Sequence, residues 1–235
     1  MKKKKNLVFI IFFLLTTSCK KQPNLNLAKN YYEQSLVEVE EKNSTKAIQL
    51  IDKSIEISPS PQALALKAAI YYQNKQFSES LAIFKKIMKE KNLPITLKTD
   101  IINNIACTHL ALGQVEEAKK MWIDLTNNIN YLSPEVAWFN MGMLDLTEAI
   151  QKRSEIQAST KLLKNAQTYF SKAISIANEY VDAYFYLAIT NFNLKDYYKT
   201  KEILVSILSI VPDHEPAKEF LNKVNKEFLN VDVNY

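Results

Sequence analysis

The sequence predicts an all-α protein, and three observations carry that reading. The chain of 235 residues contains two glycines, against an ordinary share of about 7%. Strand-and-turn architectures and phosphate-cradling loops consume glycine, because they need positive φ or close backbone approach. Apolar residues at 47% and aromatics at 11% exclude a disordered chain. Finally, small residues recur at fixed spacings, each with a large apolar residue one helical turn away.

The first element is a leader. Lys2, Lys3, Lys4 and Lys5 precede the apolar run LVFIIFFLL, and TTSC follows it. That is a charged segment, a short apolar segment and small residues before a cleavage point, so residues 1–18 read as a signal peptide. The run is too short to span a bilayer, which takes about 20 apolar residues. LTTSC is similar to a bacterial lipobox, with Ser18 before Cys19 and Thr16 where leucine is usual. The resemblance implies a diacylglycerol on the Cys19 thiol and a lipid-anchored tether over residues 19–27. An ordinary secretory signal with an incidental cysteine is the alternative. Without residues 1–18 the formal charge of +5 loses four lysines and falls to +1. No basic excess then remains for nucleic acid binding. With Cys19 lipidated, Cys107 has no partner, so no disulfide is expected and Cys107 reads as a small packed hydrophobe.

Residues 28–213 read as five helix–turn–helix copies. Helix A of each carries a small residue, in turn Ser35, Ala68, Ala106, Gly142 and Ala188. Helix B carries Ala47, Ser80, Ala118 and Thr200 twelve residues later, and Ala166 in copy four after a longer gap. Four residues beyond these stand Ile51, Phe84, Trp122, Phe170 and Leu204. Four before the helix A site stand Tyr31, Leu64, Ile102, Trp138 and Tyr184. Antiparallel helices approach to about 8 Å only where small residues face each other, and large neighbours fill the flanks. Gly113 falls at an inter-helix turn, where a left-handed cap suits glycine. Ser133 and Pro134 read as the start of a helix. The prolines of Ser58-Pro59 and Val211-Pro212 close copies one and five.

Two insertions interrupt the period. KNLPITL lengthens the turn between copies two and three. Residues 148–160, EAIQKRSEIQAST, separate the helices of copy four, as lengthened helices or an ordered loop. After Pro212, Ala217, Phe220, Leu221, Val224 and Phe228 form one apolar stripe. Residues 214–230 therefore read as an amphipathic helix capping the open end of a solenoid, with a tail at 231–235.

This pattern resembles the tetratricopeptide repeat (TPR), most clearly in NNIACTHLALGQVEEAKKMW and AYFYLAITNFNLKDYYKTKEIL. The resemblance implies a right-handed superhelix with a concave groove lined by helix A. Carried onto this chain, the groove positions are Tyr32, Leu36 and Val39; Ala65, Ala69 and Tyr72; Asn103, Cys107 and Leu110; Phe139, Met143 and Leu146; Phe185, Ile189 and Phe192. None is charged. TPR modules that grip acidic chaperone tails carry lysine and asparagine here, and only Asn103 qualifies, so carboxylate clamping is disfavoured. An apolar groove suits an amphipathic or hydrophobic segment of a partner protein. Occupation by the chain's own tail or by neighbouring repeats is the alternative.

Sites for chemistry are not apparent. The two histidines, His109 and His214, stand in no metal-ligand spacing. No Ser, Cys or Thr has a base close by in sequence, and carboxylates such as Glu38, Glu40, Glu41, Glu116 and Glu117 lie in charged runs. No catalytic residue, metal, cofactor or small-molecule substrate is expected; an enzyme on a TPR support is the outsider.

A narrower resemblance concerns NNIA, LGQVEEA and LTNNINYLSPEVAWFNMGML. These are similar to segments of type IV pilus secretin pilotins, with paired asparagines, a Tyr-x-x-Pro-Glu turn and an aromatic-Asn-apolar-Gly helix. The resemblance implies an outer-membrane lipoprotein facing the periplasm that helps a secretin localise and multimerise. Lys20 in place of aspartate implies outer-membrane export. The insertion at 148–160 departs from the compact fourth repeat of that family. The alternative is a TPR lipoprotein scaffold for another envelope machine, such as outer-membrane β-barrel insertion.

Overall fold

The computed structural model describes residues 23–232. The expected signal peptide over residues 1–18, Cys19 and the last three residues lie outside the described residues. Eleven helices and no strand are present among them. In order they are α1 Leu25–Glu40, α2 Ser44–Ile57, α3 Pro61–Gln73, α4 Phe77–Ile87, α5 Ile95–Ala111, α6 Val115–Thr126, α7 Pro134–Gln151, α8 Ile156–Ile176, α9 Val181–Asn193, α10 Tyr197–Ile210 and α11 Glu215–Asp232. Each packs on the next, so the five predicted copies are the hairpins α1–α2 through α9–α10, and α11 closes the array.

The small sites do what close approach requires. Ser35, Ala68, Ala106 and Ala188 on helices A, and Ala47, Ser80, Ala118, Ala166 and Thr200 on helices B, are all inaccessible to solvent. Ile51, Phe84, Trp122, Phe170 and Leu204 are buried beside them. In the first hairpin two buried serines also bind the facing backbone. Ser35 Oγ donates to the Ala47 carbonyl at 2.9 Å, and Ser54 Oγ donates to the Ala28 carbonyl at 2.8 Å. Those two pairs, running opposite ways along α1 and α2, fix the hairpin as antiparallel. Gly142 is the extreme case: a Cβ built there would lie 2.6 Å from Phe170 Cε1. The glycine lets the Phe170 ring lie directly on the α7 backbone.

The hairpin turns share one device. Gly113 takes φ +77°, and Lys42, Lys75 and Lys195 take +60°, +62° and +63° at the equivalent place. At each, the N–H of the left-handed residue and of its successor return to helix A carbonyls. For Lys75, the bonds are Lys75 N–H to Tyr72 O at 2.9 Å and Gln76 N–H to Tyr71 O at 2.9 Å. These are Schellman closures. The sequence pointed only to Gly113, because lysine carries no signal for positive φ.

Helix starts also follow local chemistry. Asn24, Asn43, Ser60 and Asp196 accept from backbone N–H groups three residues on. Pro134 opens α7, but the Ser133 side chain makes no cap bond; its carbonyl accepts from Val136 N–H instead. The copy-four insertion resolves into longer helices: α7 runs to Gln151 and α8 starts at Ile156, giving 18 and 21 residues. Ser159 Oγ donates to the Ala149 carbonyl at 2.9 Å and ties the extended arms together. Pro59 and Pro212 follow α2 and α10 as expected. On α11, Ala217 and Val224 are fully buried against α10, with Phe220 and Leu221 half-buried beside them. His214 caps this helix, its Nδ1 accepting from Ala217 N–H at 3.1 Å.

Candidate functional site: the concave groove

The odd-numbered helices line the inner face, as α3–α5 and α7–α9 contacts across the intervening hairpin partners require. The groove positions differ sharply along its length. In the first repeats the stripe is open. Leu36 is 37% exposed, Leu25 at the head of the same α1 stripe is 64% exposed, and Tyr32, Val39, Ala65, Ala69 and Tyr72 are half-buried. Leu25, Ala28, Lys29, Tyr32, Ser54 and Gln62 are among the residues lining a shallow pocket of about 260 Å³ between α1, α2 and α3. Tyr72 packs on Phe77 with ring centroids 5.3 Å apart.

At the centre the groove becomes polar but internally satisfied. Asn103 Oδ1 accepts from Trp122 Nε1–H at 3.0 Å and from Asn140 Nδ2 at 3.0 Å. Asn140 Nδ2 also lies 3.7 Å from Cys107 Sγ. Asn103 thus ties α5 to α6 and α7, with its carbonyl oxygen taken up by the protein. Burial pushes the Cys107 thiol up to about 11, which suits the packed role and removes it as a nucleophile at neutral pH. Leu110 is half-buried alongside. Tyr131, in the α6–α7 loop, is 5% exposed, and its phenol is raised by burial first and by Asp100 and Glu135 next. Of the residues that carry the pilotin resemblance, Asn103 bonds Asn140, Tyr131 is buried in the α6–α7 loop, and Gly142 seats Phe170.

The last repeats fill their own groove. Phe139 stands 5.7 Å from the Phe170 ring, 5.1 Å from Tyr180 and 5.7 Å from Tyr186. Phe185 lies 6.1 Å from Phe220 and 5.6 Å from His214, and Phe192 lies 5.3 Å from Phe220. Phe139, Met143, Phe185, Ile189 and Phe192 are all half-buried in this cluster. Leu146 is 3% exposed and belongs to the core, because α7 continues past it and α8 returns over it. The expectation that Leu146 lines the groove is corrected on that ground. Phe139 and Phe185 likewise pack chiefly against their own fold, since Tyr180 and Tyr186 cover Phe139 and the capping helix sets Phe220 against Phe185. Self-occupation, left open by the sequence, is realised at this end.

Among the described residues no group of three His, Cys, Asp or Glu side chains could hold a metal. Among the described residues two carboxylates are buried, Glu38 and, more deeply, Asp145. Asp145 on α7 is 1% exposed, with Oδ1 3.6 Å from Lys119 Nζ on α6 and Oδ2 buried without a hydrogen-bond partner. Burial raises its pKa above the usual carboxylate value, and Lys119 opposes that rise. It occupies the same repeat position as Glu38, Tyr71, His109 and Asn191, three residues after the small site. At that position Glu38 pairs with Lys46 at 2.5 Å, His109 meets the Gln114 side chain, and Asn191 accepts from Gln167 at 2.8 Å. The column is a structural polar seam, which accounts for Asp145 without catalysis.

No family profile matches the sequence. No curated protein matches it either. Solved structures do match. PilW, a widely conserved type IV pilus biogenesis factor, superposes with a TM-score of 0.66 at 17% identity, over 87% of each chain. PilF of Pseudomonas aeruginosa gives 0.64 at 15% identity, over 88% of this chain and 86% of its own. The C-terminal part of a TPR protein from Cytophaga hutchinsonii gives 0.60 at 13% identity, over 86% of this chain and 70% of its own. At these identities the likeness speaks for the fold. The chain is a tetratricopeptide-repeat superhelix of five repeats and a capping helix.

Proposed function

We propose that this chain is a lipid-anchored TPR scaffold of the bacterial envelope, held through Cys19 at the outer membrane and facing the periplasm. In this reading it holds an amphipathic, apolar segment of a type IV pilus secretin during localisation and multimer assembly. The observation that carries the reading is the apolar stripe on the concave face, open over the first repeats at Leu25, Tyr32, Leu36 and Tyr72, with Lys29, which pairs with Glu33, as the charge beside it. An apolar helix laid along such a stripe buries surface worth about 25 cal/mol per Å², and an amphipathic segment can place an acidic side chain at Lys29. The fold likeness to PilF and PilW, and the bond between Asn103 and Asn140, support the narrower assignment. Deleting the gene and scoring heat-resistant secretin multimers tests it. Loss of multimers with normal secretin levels is expected; unchanged multimers overturn the pilotin role.

A second reading, a scaffold for another envelope machine, draws on the extended α7–α8 arms. Their tip exposes Ile150 and Ile156 beside Arg153, a surface outside the groove. Ile150→Ser with Ile156→Ser changes only exposed side chains at that tip, so loss of function from this pair favours this reading.

A further inference from the structure

Alternating helices place every helix A start and every helix B end along one edge of the solenoid. The chain enters at that edge, since α1 begins there. Large aliphatic side chains stand exposed along it: Leu25 at 64%, Leu27 at 41%, Ile95 at 48%, Ile129 at 95% and Leu132 at 73%. The last two sit on the loop joining α6 and α7, and that loop is built to present them. Tyr131 between them is buried, its N–H donating to the Asn128 carbonyl at 2.9 Å, while Asn130 N–H donates to Asn128 Oδ1 at 2.9 Å. From Leu125 to Pro134 the sequence has no Asp, Glu, Lys or Arg. The neighbouring α4–α5 connection on the same edge carries Lys89 and Lys91 beside Ile95. The opposite edge has its own exposed apolar residues, but there Ile150 and Ile156 are interleaved with Lys152, Arg153 and Glu155.

We propose that this edge rests on the membrane, with Ile129 and Leu132 entering the boundary between headgroups and acyl chains. The inference rests on the reading that Cys19 is acylated. Cys19 precedes Leu25 by six residues, a reach of at most about 20 Å, so the lipid and this edge meet the same surface. An uncharged loop with a buried tyrosine root and two aliphatic prongs matches what an interface insertion requires, and the lipid tether rather than charge holds the edge at the bilayer, since Glu90 stands between Lys89 and Lys91. The hairpin turns at Lys75 and Lys195 then point away from the bilayer, and the groove opens sideways, parallel to it.

The test uses the full chain with its own leader, reconstituted into phosphatidylethanolamine–phosphatidylglycerol vesicles containing a lipid-borne quencher. An environment-sensitive dye is placed through Ile129→Cys, Leu132→Cys, Lys75→Cys or Lys195→Cys, each with Cys107→Ala and each checked for native helicity. Dye at 129 and 132 is expected to shift to the blue and to be quenched several-fold more than dye at 75 and 195. Equal quenching at all four, or stronger quenching at 75 and 195, overturns the orientation. A blue shift at 129 that appears without vesicles and grows with protein concentration assigns the edge to a second copy instead. Intact mass of the mature protein separates the two readings: an unmodified Cys19 defeats the anchor itself, whereas acylation with a water-exposed 129 defeats only the docking of the edge.

Discussion

Gly142→Ala tests the principle on which the whole array is built. The added Cβ would lie 2.6, 2.8 and 2.9 Å from three carbons of the Phe170 ring, where carbon atoms prefer about 3.5–4.0 Å. Phe170 is completely buried, with Phe139 and Tyr186 rings at 5.7 and 6.2 Å, so it has no empty space to turn into. Relief requires α7 and α8 to separate by close to an ångström along their contact. Overpacking of this kind costs about 1–3 kcal/mol and occasionally more. Alanine's helix propensity returns about 1 kcal/mol. An approach as short as 2.6 Å puts the cost in the upper part of that range, about 2–3 kcal/mol, so the balance is a net loss of about 1–2 kcal/mol, in a helix where the same substitution on an exposed face would stabilise. The assay is urea denaturation followed by far-ultraviolet circular dichroism on the chain lacking its leader. A second change, Phe170→Leu, should restore part of the loss, giving a favourable coupling in the double-mutant cycle. If Gly142→Ala is as stable as the parent or more so, the close-approach account of the small sites is wrong.

Other outcomes follow from buried polar and titrating groups. Ser80 is fully buried and its Oγ has no partner, unlike Ser35 and Ser54; Ser80→Ala should therefore stabilise by about 1 kcal/mol in the same urea assay. Asp145 has a raised pKa from burial, so the native state holds its proton more tightly than the unfolded chain does. Stability from this group is present at acid pH and lost as pH rises through its folded pKa. Asp145→Asn should accordingly match or exceed the parent in Tm at neutral pH, with the gain shrinking toward pH 4. Cys107, raised from 9.0 to about 11, contributes stability that is complete below pH 9 and lost between pH 9 and 11. The fall is on the order of 2–3 kcal/mol, and Cys107→Ala should remove it from denaturation curves taken across that range.

Much of the fold was legible because a TPR hairpin writes its packing into residue size. Ser35, Ala68, Ala106, Gly142 and Ala188 sit where the spacing put them, and their large partners are buried beside them. What the sequence could not carry was whatever depends on neighbours distant in the chain. Leu146 holds a groove position by spacing, yet the lengthening of α7 and α8 takes it into the core. Phe139 and Phe185 face inward as the pattern says, but Tyr180, Tyr186 and Phe220 arrive from other elements to cover them. Asn140 stood out only as part of the aromatic-Asn-apolar-Gly segment; its role appears when Asn103 comes within hydrogen-bonding reach. The left-handed lysines were invisible for a different reason: the local Schellman closure that imposes positive φ is filled here by residues whose type carries no signal for it.

The central claim is that the open, apolar N-terminal half of the groove receives a segment of an envelope protein. Site-specific photocrosslinking in living cells tests it, with the crosslinker at Leu36 or Tyr72 in the groove and at Leu146 or Lys53 as controls. Crosslinks from 36 and 72 to one envelope partner, absent from 146 and 53, are predicted, and a secretin in that band would add the pilotin role. No partner at 36 and 72, or equal capture at all four positions, would contradict the account.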